Sequence, residues 1–226
     1  MSEINIEQAR YNMIEQQIRP WDVLDQRVLD VLSAVRREEF VPERYRRLAF
    51  ADVRIPLGHD QTMMNPNVEG RLLQALAIQP TDAVLEVGTG SGYLTACLAQ
   101  LGRQVSSIEI FPDFIERAQQ TLLRNNVLNV RLDVGDAALD LPPDSVHSAE
   151  QRFDAIAITG ALPIVPESWC QRLTLGGRLF VIVGTPPVME AQLITRTDEN
   201  AWLTESLFET ELPYLVNHEA KASFEF

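Results

Sequence analysis

Cations, sulfur and long apolar runs are all scarce in this chain of 226 residues. Lysine and arginine number 19 against 32 aspartates and glutamates, a formal net charge of −13. That imbalance excludes broad phosphate-backbone binding, which needs a basic face to release counterions, so no nucleic acid is expected as partner. The local cluster Arg36, Arg37, Arg44, Arg46 and Arg47 is interleaved with acids and reads as a solvated helix surface. Cys97 and Cys170 lie far apart, each amid apolar residues, so no disulfide framework or C-x-x-C motif is written and both read as small buried hydrophobes. His59, His147 and His218 are isolated, and His218-Glu219 is not followed by a second histidine at Ala222, so the helical zinc-protease pattern is missing and no metal is expected. The nucleophile elbow G-x-S-x-G is also missing, because Ser91 directly follows Gly90. No apolar run approaches the ~20 residues of a membrane helix, and the N-terminus carries acids where a signal peptide is basic and then apolar. A cytoplasmic protein without membrane contact is the expectation. Internal repeats and low-complexity tracts are lacking as well.

What the chain has is concentrated in Val84 to Tyr93, VLEVGTGSGY. Val84, Leu85 and Val87 suit a strand buried on both faces, and Gly88, Gly90 and Gly92 follow at alternate positions, where a Cβ would forbid close approach. The next residues, YLTACLAQLG, place apolar side chains at helical spacing and end on Gly102. Thr89, Ser91 and the glycines thus present bare N–H groups to a ligand at a helix N-terminus. Dinucleotide enzymes favour G-x-G-x-x-G, whereas this turn reads G-x-G-x-G with Glu86 two residues ahead. An acid placed there suits an ammonium-bearing ligand better than a pyrophosphate. The pattern E-x-G-x-G-x-G resembles the first motif of S-adenosylmethionine-dependent methyltransferases.

Downstream segments agree in order. RQVSSIEI reads as a second strand ending at Glu109 and Ile110, with Glu109 seventeen residues after Gly92, where the doubly wound fold sets an acid against ribose hydroxyls. A helix over Pro112 to Asn126 and a strand over Asn129 to Val134 lead to Gly135-Asp136-Ala137, a turn that resembles the family's adenine-recognising position. Strands follow at Phe153 to Thr159 and Leu173 to Gly184, with Thr159 at the carboxyl edge where open α/β sheets bind ligands. Ala191 to Arg196 and Trp202 to Leu215 read as further strands forming an antiparallel edge. The expected fold is α/β, a doubly wound Rossmann-like methyltransferase sheet with an N-terminal helical appendage. One domain over 1–226 is expected, with a helical cap and acceptor loop over 1–66 and the core over 67–226; 141–151 reads as a polar loop.

The first third is more selective. Ile4 to Ile18 and Gln26 to Val35 read as amphipathic helices split at Pro20. Then VRREEFVPERYRRLAFADVRIPLGHDQTMMNPNV, Val35 to Val68, carries Arg37, Glu38, Phe40, Val41, Pro42, Ala49, Phe50 and Asp52, followed by Pro56, Gly58, His59, Gln61, Thr62 and Pro66. This resembles the N-terminal region of protein-L-isoaspartate O-methyltransferases, R-E-x-F-V-P leading to P-(I/L)-G-H-x-Q-T. With the later motifs the resemblance covers about Asp25 to Leu215. It implies methyl transfer from S-adenosyl-L-methionine to the free carboxylate of isoaspartyl residues in damaged proteins or peptides. A carboxylate is already ionised at neutral pH, so no general base is needed, and alignment alone contributes on the order of 7 to 11 kcal/mol.

The acceptor loop departs from the family. Where the family reads G-H-G-Q-T-I-S-Q-P, this chain reads GHDQTMMNP, with Met64 at the serine thought to hold the substrate carboxylate and Asp60 at a glycine. Losing a hydrogen bond to a charged group costs roughly 1.5 to 3 kcal/mol. An ionised Asp60 about 4 Å from a substrate carboxylate would add up to about 4 kcal/mol of repulsion at an effective dielectric near 20. Thr62 and Asn65 are the remaining donors. Three readings stay open: an isoaspartyl methyltransferase with an altered lip, a paralogue for another small, less charged acceptor whose hydroxyl or amine gives a proton to Asp60, and a cofactor-binding module without transfer activity. His59 either touches substrate or caps its own loop. The acceptor-loop candidates are therefore His59, Asp60, Thr62 and Met64, and oligomeric state is not readable.

Overall fold

Seven strands share one sheet in the computed structural model, which describes residues 5–137 and 151–218. His147, all but Gln151 of the expected polar loop, and the tail from residue 219 lie outside the described residues. The chain starts with α1 (Ile6–Met13), whose N-cap Asn5 accepts from the Gln8 N–H. A wide turn over Ile14–Ile18 and a tight one over Arg19–Trp21 end this helix, and α2 (Gln26–Ala34) starts on Asp25. The short α3 (Arg37–Phe40) follows.

The acceptor loop read from sequence over His59 to Pro66 is more ordered than that. Residues 55–68 form an antiparallel hairpin, β1 (Ile55–Gly58) with β2 (Gln61–Met63), and then enter α4 (Pro66–Leu76). Pro66 suits the first turn of that helix, and Leu72, Leu73 and Leu76 continue one buried stripe.

From there strands and helices alternate: β3 (Ala83–Val87), α5 (Tyr93–Leu101), β4 (Gln104–Glu109), α6 (Pro112–Arg124), β5 (Val130–Val134) and β6 (Phe153–Leu162). The short α7 (Glu167–Gln171) leads to β7 (Leu173–Thr185), β8 (Val188–Asp198) and β9 (Ala201–Glu209). The strand order is β5-β4-β3-β6-β7-β8-β9; β5 through β7 run parallel, and β8 and β9 are added antiparallel. The order reverses between β3 and β6, which is where such sheets open a crevice at their carboxyl ends. Each sheet face has its own core. Val84 faces α4, α5 and the N-terminal helices, whereas Leu85 and Val87 pack with Ile156, Ile158 and Trp169 on the other side.

Two expectations need correction. The strand read over Trp202 to Leu215 stops at Glu209; the chain then turns back to the end of β6, where the Leu215 N–H donates to the Ala161 carbonyl and the Ala161 N–H donates to the Pro213 carbonyl. Arg37, grouped with the surface arginines, is fully buried, because α3 points it inward between α4 and α5.

Arg178 of β7 fixes the C-terminus of α4, donating to the carbonyls of Leu76 and Ala77 and to Asp82 at 2.7 Å. Replacing it with alanine should cost roughly 1.5 to 3 kcal/mol of unfolding free energy, measured by urea titration. A change within a few tenths of a kcal/mol would mean that this cap does not hold α4.

Candidate active site

The crevice is an open cleft of about 810 Å³ at the carboxyl ends of the central strands. Its floor is the turn after β3. Gly88 has φ +96°, and a Cβ there would stand 2.3 Å from Thr159 Oγ1, so only glycine fits. Thr159, inside β6, which runs three residues past the strand read from sequence, donates to the carbonyls of Val87 and Gly88 and pins the end of β3 to β6. Thr89, Gly90 and Ser91 continue the lining.

Glu109 ends β4 and bridges two backbone segments: its carboxylate accepts from the Gly90 N–H at 2.9 Å and the Phe111 N–H at 3.1 Å. Burial pushes its pKa above the ordinary carboxylate value, and those N–H groups oppose the shift. The Ile110 N–H also bears on it, and a carboxylate with about four acceptor sites keeps capacity for a ligand hydroxyl beside these donors. Ile110 lies beside it, and Gly135, Asp136 and Ala137 form the far end of the cleft. Sequence reasoning missed the contribution of the C-terminal segment. Leu215, Val216 and His218 line that end, and Asn217 donates to Asp136 at 2.6 Å. LPYLV was read as a strand, and nothing in its composition says that it crosses a cleft.

Four sequence candidates do not line the cleft. Glu86 is fully buried on the α5 side of β3, where one carboxylate oxygen accepts from Thr95 at 2.5 Å and Ser107 at 2.6 Å. Strand alternation explains this, since Glu86 shares the face of Val84. It stiffens the turn through Ser107, which also bonds Thr89. Gly92 is spent on packing: it starts α5 at φ +81°, and a Cβ would meet Ala118 of α6 at 3.0 Å. His59 and Asp60 occupy the hairpin tip, both at positive φ. The tight turn directs them outward; His59 stacks on Phe111 and contacts Asp113 at 3.0 Å, and Asp60 is exposed.

The hairpin's second strand and the residue after it do face the cleft, through Thr62, Met63 and Met64. The Thr62 hydroxyl is buried with no partner among the described residues. Asn65, the other candidate donor, is engaged with Asp52 at 3.0 Å. Behind Met64 lies Arg37, which donates to the Met64 carbonyl and the Ala49 carbonyl, each at 2.8 Å, and to Glu69. Its guanidinium also lies 4.7 Å from the centre of the Tyr93 ring. Glu69 itself lines the cleft although only 2% exposed. Burial pushes its pKa up to about 7, with Arg37 pulling the other way. Neither residue was a sequence candidate. The available signal was an acid at the head of the apolar stripe Glu69, Leu72, Leu73, Leu76.

The sheet order, the glycine turn and the acids at the ends of β4 and β5 define an S-adenosylmethionine-dependent methyltransferase. Residues 8–216 match the family described as Protein-L-isoaspartate(D-aspartate) O-methyltransferase. A protein-L-isoaspartate O-methyltransferase of Gloeobacter violaceus is 40% identical over 173 residues, 76% of this chain and 82% of its own length. One from Rhodopseudomonas palustris is 34% identical over 215 residues, 95% of this chain and 85% of its own. Among solved structures, a Plasmodium falciparum protein described with this family and bound to S-adenosyl-L-homocysteine superposes with a TM-score of 0.79 at 19% identity, covering 94% of this chain and 99% of that one. The chain belongs to the protein-L-isoaspartate(D-aspartate) O-methyltransferase family.

Two outcomes follow. Glu86 titrates at about 8 because of burial, so the native state holds a proton that the unfolded chain releases near 4.5. Stability should therefore fall as pH rises between those values, by up to about 1.4 kcal/mol per unit. Glu86→Gln should flatten that slope in urea titrations at pH 5 and pH 8; an unchanged slope contradicts the assignment. Gly88→Ala should abolish S-adenosylmethionine binding in calorimetry, whereas wild-type affinity would show that the turn is not the contact.

Proposed function

We propose that this chain transfers the methyl group of S-adenosyl-L-methionine to the free carboxylate of isoaspartyl residues in proteins or peptides. The observation that carries the reading is the placement of the GHDQT hairpin: Thr62 to Met64 wall the same cleft whose floor is the glycine turn. Leu57 of β1 lies 3.2 Å from where a Cβ on Gly90 would be, so the hairpin closes directly over that turn.

The residues present fit the cofactor. Gly88 is a cradle that a Cβ would fill, Glu109 suits ribose hydroxyls, and Asp136 suits an adenine amine. Bound there, S-adenosylmethionine supplies an electrophilic methyl carbon. This chain's own contribution is positional. The glycine turn and Glu109 hold the donor, and the wall of Thr62, Met63 and Met64 limits the approach of the acceptor oxygen. Hydrophobic methionines also exclude water from the line of transfer.

A second reading, an acceptor other than isoaspartate, is favoured by Met64, which offers no hydroxyl. The form in which Asp60 takes a proton is not supported, because Asp60 is exposed at the hairpin tip.

Transfer of labelled methyl to an isoaspartyl peptide and to its aspartyl twin separates these readings. Label on the isoaspartyl peptide alone is expected; label on neither, with S-adenosylmethionine bound, contradicts it. Glu109→Ala should weaken S-adenosylmethionine binding roughly 10- to 100-fold, as loss of hydrogen bonds to a charged group implies.

A further inference from the structure

Met64 leaves the acceptor end of the cleft without the serine hydroxyl of the family pattern, and what stands there instead is a buried acid. Glu69 of α4 lines the cleft that Thr62 and Met64 also line, while 98% of its surface is hidden, since it is 2% exposed. Arg37 grips one carboxyl oxygen of Glu69, and the same guanidinium fixes the Met64 carbonyl at 2.8 Å. The acid and the loop that replaced the serine are therefore one rigid unit. A second polar atom, the Thr62 hydroxyl, is buried at the same wall with no partner among the described residues. A buried unpaired hydroxyl is unusual in a folded protein and is satisfied when a ligand arrives.

We propose that Glu69 is the residue that receives the acceptor: its carboxyl group, protonated, donates to the substrate carboxylate the hydrogen bond that Met64 cannot provide. A second carboxylate set against the buried Glu69 cannot stay ionised together with it, so one proton is shared between them. The balance is simple. The acceptor oxygen forms its bond to the methyl carbon, the bond from that carbon to sulfur breaks with its electron pair, and Glu69 keeps its proton. This rests on the isoaspartyl reading above, and it makes Glu69 a specificity-determining residue for that acceptor.

Charged and titratable groups around Glu69 are few. Arg37 faces it from α3, and Tyr93 and Cys97 face it from α5. Burial pushes both the Tyr93 phenol and the Cys97 thiol up, so neither ionises in the working range. Glu86 lies beyond Cys97 and titrates at about 8. Glu69, pushed by burial to about 7, is thus in its donating form on the acid side of neutrality. The approach of a second carboxylate raises it further.

The test has two parts. The kcat/KM of the wild type for an isoaspartyl peptide should fall as pH rises above about 7, and should do so also in a Glu86→Gln background. Glu69→Gln, a permanent donor, should keep activity within a few-fold and remove that fall. Glu69→Leu should lose roughly 10- to 100-fold in kcat/KM for the peptide, with Met64→Ser restoring it and with S-adenosylmethionine affinity within twofold throughout. Affinity for S-adenosylmethionine also reports whether each variant has folded. A profile that rises with pH, Glu69→Gln as inactive as Glu69→Leu, or a loss confined to S-adenosylmethionine binding would overturn the assignment. Calorimetry of peptide binding in buffers of different ionisation enthalpy adds a readout without turnover. Proton uptake on binding, abolished by Glu69→Gln, supports the role of Glu69 even if no methyl is transferred, a result that would count against the isoaspartyl reaction alone. Binding without proton uptake, or no binding at all, counts against Glu69.

Discussion

The guanidinium of Arg37 has to be satisfied where no water reaches it, and the acceptor half of the cleft is arranged around that requirement. It meets a carbonyl from the segment after α3, a carbonyl from the hairpin, the Glu69 carboxylate from α4 and the face of Tyr93 from α5. Four separate pieces of chain are thereby held in register. Removing the guanidinium leaves these buried acceptors without their donor, at about 1 to 3 kcal/mol for each orphaned group. A parallel contact, Arg10 of α1 to Glu38 of α3 at 2.6 Å, ties the first helix to the same unit. The N-terminal helices thus brace the hairpin over a glycine turn that the sheet has already fixed.

The two halves of the cleft are built by different physics. At the donor end, backbone dominates: glycines at positive φ shape the turn, but their N–H groups are spent within the protein rather than left bare as the sequence suggested, Gly88 on the Ile108 carbonyl, Gly90 on Glu109 and Gly92 on the Thr89 carbonyl; Thr159 clamps the two strands, and Glu109 ties the turn to α6. Such a site tolerates little change, because a Cβ or a lost carboxylate breaks the geometry itself. At the acceptor end, side chains set the character of the wall. Substitution there alters what is recognised while leaving the frame intact, which is how a family can keep its donor site and vary its lip.

That contrast also explains what was readable in the sequence. The parallel order, the glycine turn, Glu109 and the Gly135-Asp136 turn follow from short-range patterns, namely apolar runs, glycine spacing and strand-end acids, and the structure shows the sheet they imply. Glu86 looked like a ligand contact because it sits in the motif, but strand alternation sends it to the α5 face. His59 and Asp60 belong to a motif-bearing loop, yet a tight hairpin tip turns them outward. Arg37 and Glu69 are 32 residues apart and meet only through tertiary packing. Each alone reads as an ordinary charged helix residue; only the fold shows them as a buried pair at the cleft. The role of 215–218 is hidden for the same reason, because it depends on a return to β6 that no local pattern encodes.

If Arg37 is what holds the acceptor wall in place, its loss should be felt first at the hairpin. Amide hydrogen exchange on an Arg37→Met variant, followed residue by residue, measures this directly. Protection should collapse over β1, β2 and the first turn of α4, while β3 and β6 retain much of theirs. Unchanged protection in the hairpin, or an equal loss across the whole sheet, would contradict the account.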